Sequence, residues 1–163
     1  MRVPHVLQPE TASVEAAIFA VNGCTHEFDI TGVTDYGVSM DAILANKELI
    51  PVQGARFDLA VTGRGKGRLS GRAHGVDYLR IRADGLIELD LHVTIETEDG
   101  HRIALSGDGQ AAPRSDEPMV DIFANISLCT AAKEYAWVNA RQIWAVGTWS
   151  MATGKMRVEA YMQ

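Results

Sequence analysis

From Asp77 to Leu105 the chain reads DYLRIRADGLIELDLHVTIETEDGHRIAL, with an apolar residue at nearly every second position on both sides of two Asp-Gly turns. Alternation at period two belongs to β-strands with two distinct faces, and the length of each turn decides which residues lie opposite one another. Ala83-Asp84-Gly85 and Glu98-Asp99-Gly100 each read as a type I turn closed by a left-handed Gly, the three-residue hairpin loop. Such loops pair Arg82 with Leu86, Ile81 with Ile87, Arg80 with Glu88, Glu96 with Arg102, Ile95 with Ile103 and Val93 with Leu105. A two-residue loop would set Ile81 against Glu88 and bury charge on the apolar face, so the odd loops are predicted.

Similar alternation, broken at short intervals by turn residues, predicts strands over Ala55–Thr62, Val76–Arg82, Leu86–Thr97, His101–Gly107, Val120–Thr130, Gln142–Trp149 and Lys155–Met162. Weaker strand patterns cover Ala16–Val21, Glu27–Val33 and Lys66–Ala73. The expected fold is all-β, an antiparallel barrel of calycin-like or allene-oxide-cyclase-like type, in a single domain over residues 1–163. One short helix is expected after Ser39, whose hydroxyl can cap a turn bearing Met40, Ile43 and Leu44. Asp108–Pro118 and Ala131–Glu134 read as loops.

TGRGKGRLSGRAHGVDY, Thr62–Tyr78, sets five glycines among Arg64, Lys66, Arg68 and Arg72. It lacks the GxxxxGK[ST] pattern, and a strand rather than a helix follows, so it is not a phosphate loop. Glycines inside strands mark bends and close backbone approach, the devices by which a sheet curls into a barrel.

A net charge of −6 offers no basic field for nucleic acid or an anionic membrane, so neither is expected as a partner. Two distant cysteines, Cys24 and Cys129, are too few for a disulfide scaffold, and a reducing cytoplasmic setting is expected, with no secretory signal at the N-terminus. Cys129 reads as core packing. His5, His26 and His101 lack a second ligand at metal spacing and read as surface histidines. His74 and His92 with Asp77 or Asp90 form no dense ligand motif, so no metal and no cofactor is expected. Trp137, Trp144 and Trp149 read as core aromatics or the wall of a pocket, and Ser70 and Ser106 lack a nucleophile elbow.

The hairpin register divides the meander into two faces. One carries Leu79, Ile81, Ile87, Leu89, Leu91, Val93, Ile95, Ile103 and Leu105, with Asp77 as its single acid. The other carries Tyr78, Glu88, Asp90 and His92, the last three at a repeat of about 6.6–6.8 Å along one strand. A carboxylate and an imidazole so placed can exchange protons with a substrate, with Tyr78 as a hydrogen-bond donor. The alternative is that this face is the wet side of a sheet, laced by the Arg80/Glu88 and Glu96/Arg102 pairs.

HGVDYLRIRADG, LDLHVTIETEDG and KEYAWVNARQIWAVG, in that order, resemble the domain of unknown function 3237 family, small bacterial and fungal proteins, over the region from about Gly54 to the C-terminus. Matching segments there run Gly-Gly-x-Asp-Trp, then Leu-Asp-x-Arg with Thr-x-Asp-Gly, then Tyr-x-Trp-Leu-Asn. The resemblance implies a β-barrel that assembles as a homo-oligomer, taken here as a dimer. It places Asp77 and Tyr78 on the Asp-Trp pair, Asp90 and His92 on the Asp-x-Arg pair, and Tyr135, Trp137 and Asn139 on the third motif. His74 stands where Gly is usual, Tyr78 replaces Trp, and His92 replaces Arg, which exchanges a fixed positive fork for a titratable base.

With Tyr78, Asp90 and His92 all at motif positions, the polar face is predicted to line the barrel interior. The expected function is then a small-molecule enzyme using cofactor-independent acid/base chemistry of the lyase, isomerase or dehydratase type on a partly aromatic metabolite. Asp90, His92 and Asp77 are the catalytic candidates, and Tyr78, His74, Tyr135, Trp137 and Asn139 the substrate-binding ones. A binding protein that holds a small ligand without turnover is the alternative, and a module that docks a partner on its polar face is a third.

Overall fold

The computed structural model describes residues 24–46 and 48–162. Eight antiparallel strands close into one barrel in sequence order: β1 (Cys24–Asp35), β2 (Ala55–Lys66), β3 (Gly71–Ile81), β4 (Ile87–Thr97), β5 (Arg102–Pro113), β6 (Met119–Cys129), β7 (Ile143–Ser150) and β8 (Lys155–Met162), with β8 returning to pair with β1. Closure leaves no sheet edge to protect.

Both predicted hairpins form with the predicted register. The Gly85 N–H donates to the Arg82 carbonyl at 2.9 Å and the Gly100 N–H to Thr97 at 3.0 Å. Both glycines take the left-handed conformation, at φ 86° and 88°. Arg80 lies opposite Glu88, Ile81 opposite Ile87, Glu96 opposite Arg102 and Val93 opposite Leu105. Of the two expected cross-strand ion pairs, Arg102–Glu96 forms at 3.2 Å, whereas Glu88 pairs with Arg82 and the Arg80 guanidinium turns to the Gln53 carbonyl.

The glycine-rich stretch bends as expected. Lys66–Ala73 is not a strand of its own; its ends belong to β2 and β3, joined around Gly67. A Cβ on Gly63 would fall on the Glu27 carbonyl of β1, and one on Gly75 on the His92 carbonyl of β4. These are sites where neighbouring backbones approach too closely for a side chain.

Three expectations are corrected. Asp108–Pro113 is not loop but the second half of β5, because β4 and β6 on either side satisfy its backbone groups although its residues favour turns. Lys133–Val138 forms a short 3₁₀ helix, which begins inside the loop expected over Ala131–Glu134. Cys129 points outward, and Cys24 is the buried cysteine. The strand expected over Ala16–Val21 lies outside the described residues, as does His5.

The interior is filled from both ends. Helix α1 (Met40–Leu44), capped by the Ser39 hydroxyl accepting from the Ala42 N–H at 3.3 Å, buries Met40 and Ile43 against Phe57, Ile81 and Ile87. At the opposite end the 3₁₀ helix inserts Val138 among Ile103, Leu128 and Ile143. Each such aliphatic side chain withdrawn from water contributes about 1.5–3 kcal/mol. No helix among the described residues is long and apolar enough to cross a membrane.

Candidate functional site

The apolar face of the meander lies inside the barrel and the polar face outside, the reverse of the predicted placement. Leu79, Ile81, Ile87, Leu89, Val93, Ile95 and Ile103 are buried. A single sheet closed on itself shields only its interior, so the strand face with the most apolar surface takes that side.

Tyr78, Asp90 and His92 do come together, as their register requires. His92 Nε2 and Asp90 Oδ1 are 3.0 Å apart, and the Tyr78 ring meets the His92 ring edge-on with centroids 5.5 Å apart. But the His92 and Asp90 side chains are 57% and 62% exposed, on the barrel's outer wall. There the Arg56 guanidinium lies 5.0 Å from the Tyr78 ring centre and bonds Asp58, which also accepts from the Tyr36 hydroxyl at 2.7 Å. Bulk water reaches this pair, so the enclosed acid/base dyad predicted from the sequence does not exist. His74 is also on the outer face, beside Arg64, Arg72 and Glu96 in a shallow groove.

The third motif serves the lower end of the barrel. Tyr135 packs on the core and donates its hydroxyl to Asp99 at 2.9 Å, which ties the 3₁₀ helix to the β4–β5 turn. Trp137 lies under the Arg68 guanidinium, 3.9 Å from its ring centre. Asn139 accepts the Thr130 N–H at 2.8 Å and donates to the Thr130 carbonyl at 2.9 Å, closing the loop much as a strand pair would.

Asp77 is the one catalytic candidate that enters the barrel. It sits on β3 between Gly75 and Leu79, in the parity of the core, and is 7% exposed. Its Oδ1 accepts the backbone N–H of Asp90 at 3.0 Å. The β3–β4 ladder is interrupted between Asp77/Leu91 and Arg80/Glu88, so the carboxylate bonds a backbone donor of the neighbouring strand in that gap. Loss of water around the carboxyl raises its pKa to about 6, the Asp90 charge adding to the rise and the Asp90 N–H opposing it.

Asp77 belongs to the wall of an internal cavity of about 120 Å³. Small interior side chains on β5 to β7, Ala111, Ala124 and Ala145, line this space together with larger residues such as Leu59 and Leu79. Among the described residues of the wall, Asp77 is the single acid, and no lysine or arginine joins it.

Two further polar groups on this wall lack hydrogen-bond partners: Nε2 of His26 and Nε1 of Trp149. His26, expected at the surface, is 7% exposed, and burial holds its imidazole below the ordinary pKa. The period-two pattern carried the signal for both. His26 shares parity with Phe28, and Trp149 with Ile143 and Ala145. No group of three or more histidine, cysteine or acidic side chains that could hold a metal forms among the described residues.

Solved structures with the same barrel include a protein of unknown function from Clostridium acetobutylicum, 16% identical with a TM-score of 0.70, over 85% of this chain and 94% of that one. A beta-barrel like protein from Acinetobacter baumannii is 19% identical with a TM-score of 0.62, over 85% and 91% of the two chains. A protein from Penicillium herquei described as an enzyme is 19% identical with a TM-score of 0.55, over 85% and 90%. No curated protein matches the chain. The profile of a family described as protein of unknown function (DUF3237) matches residues 25–163, and with the barrel and the three motifs in place the chain belongs to that family.

Proposed function

We propose that the barrel encloses a small-molecule site in which Asp77 transfers protons, in a reaction of the lyase, isomerase or dehydratase type. The observation that carries this reading is a lone carboxyl on the wall of an otherwise apolar cavity, its pKa lifted to about 6 by burial. A group with that pKa is divided between acid and base near neutrality, which is where general acid/base catalysis works best. Desolvation also makes the carboxylate a stronger base toward a substrate than it would be in water. The Penicillium herquei barrel, described as an enzyme, adds that this fold can house a reaction.

A binding protein without turnover is the second reading, favoured by the scarcity of polar groups on the wall. The test is incubation of wild-type protein and Asp77→Asn with a metabolite extract in D₂O, followed by mass spectrometry. A compound converted or deuterated by wild type and left untouched by the variant supports catalysis. A compound enriched unchanged by both proteins supports binding alone. No compound enriched or altered by either sinks the lumenal site.

A further inference from the structure

Asp77 and Trp149 occupy opposite walls of the barrel at the same level. They belong to β3 and β7, four strands apart in a ring of eight. Followed through β4, β5 and β6, the partners of Asp77 are Leu91, Gly107, Ile126 and then Ile143 on β7, six residues before Trp149. Followed the other way, they are Leu59 and Val33. Trp149 connects through Met156 to Phe28, five residues before Val33 with the β1 bulge between. The two routes miss Trp149 by similar amounts in opposite directions, which is the stagger of a tilted barrel, and the axial level of Asp77 therefore coincides with that of Trp149.

An indole N–H buried without a partner is costly and uncommon. Trp149 is 8% exposed, lines the cavity, and has its Nε1 unpaired. The other orphan, Nε2 of His26, belongs to β1, and the register partner of His26, Gly65, lies six residues along β2 from Leu59, the partner of Asp77.

From this juxtaposition we infer that the lumen takes a compact, neutral carbonyl compound, its oxygen accepting the Trp149 Nε1–H while an acidic C–H beside the carbonyl faces Asp77. The inference rests on the lumenal reading above and adds the substrate class to it. Charge and size narrow that class. A carboxylate or phosphate would be buried without a cation, since no lysine or arginine lines the described wall. At about 120 Å³ the cavity is somewhat smaller than the roughly 150 Å³ apolar cavity known to hold benzene, so one six-membered ring fills it.

The chemistry balances without a redox partner. The C–H bond breaks, its proton goes to the Asp77 carboxylate, and its electron pair moves into an enolate whose oxygen is held by the indole N–H. Return of the proton to the opposite face of the same carbon gives the epimer, and where a C=C is conjugated with the enolate, return to its far carbon gives the double-bond isomer.

The test uses cyclohexanone and methylenecyclohexane, which differ in C=O against C=CH₂, titrated into ¹⁵N-labelled full-length protein. The indole signals are assigned with Trp137→Phe and Trp144→Phe, which leave Trp149 in place. Cyclohexanone is expected to bind about tenfold more tightly and to move the Trp149 Nε1–H signal downfield, while the hydrocarbon binds without that shift. Trp149→Phe should then bring the two affinities together; if it fails to fold, the shift in the wild-type protein still decides. Equal affinities with no shift at Trp149 overturn the carbonyl assignment and leave the lumenal site standing. Exclusion of both probes overturns the lumenal reading itself.

Discussion

The carboxylate of Asp77 accepts the backbone N–H of Asp90, 3.0 Å away on the adjacent strand, from inside the barrel. One acid of the family motif is thus buried and reads the backbone of the other, whose own side chain is in water. Their sequence motifs are alike in character, but their electrostatic circumstances are opposite.

The pH dependence of stability should report this. The folded protein holds the Asp77 proton up to about pH 6, whereas the ordinary value is 3.8. Between those limits the folded state binds more protons than the unfolded state, so this contribution is complete below about pH 4 and is lost as pH rises through 6. Its size is about 3 kcal/mol. Urea denaturation of wild type and Asp77→Asn from pH 4 to 7 should show the wild type losing about that much relative to the variant. A constant difference across the range would rule out a raised pKa.

His92→Gln and Asp90→Asn, by contrast, remove only an exposed pair. Such pairs contribute about 0–1 kcal/mol, so both variants should unfold within about 0.5 kcal/mol of wild type and retain whatever lumenal turnover Asp77 supports. Loss of turnover in a folded His92→Gln protein would return the outer face to consideration.

Gly75→Ala tests the close approach of β3 and β4. Its Cβ would press on the His92 carbonyl, which is backbone and cannot rotate away. Overpacking of this kind costs about 1–3 kcal/mol, and the denaturation midpoint should fall accordingly. A midpoint equal to that of wild type would mean the two strands can separate freely there.

Much of the fold was legible because pairing is local. The register from Tyr78 to Leu105 followed from two Gly-closed turns, since only one loop length matches apolar with apolar residues. The second half of β5 was not legible: Asp108 to Pro113 read as part of a loop, and only β4 and β6 hold them extended. At the site, Asp77 was visible as the acid breaking an apolar face and Trp149 as a core or pocket-wall aromatic; His26, although it shares the parity of Phe28, was read as a surface residue, and the missing partner of the Trp149 indole was not legible, because both depend on strands distant in the chain.

By itself the sequence determined which side chains share a face, because the two-residue repeat of a strand and the length of a turn are short-range properties. Only the tertiary structure decided which face is enclosed. Alternation treats the two sides of a sheet alike until β8 closes onto β1, and closure then commits the larger apolar surface to the interior. That commitment left Asp90 and His92 in water, with Tyr78 beside them on the outer wall, and brought Asp77 into one cavity with Trp149.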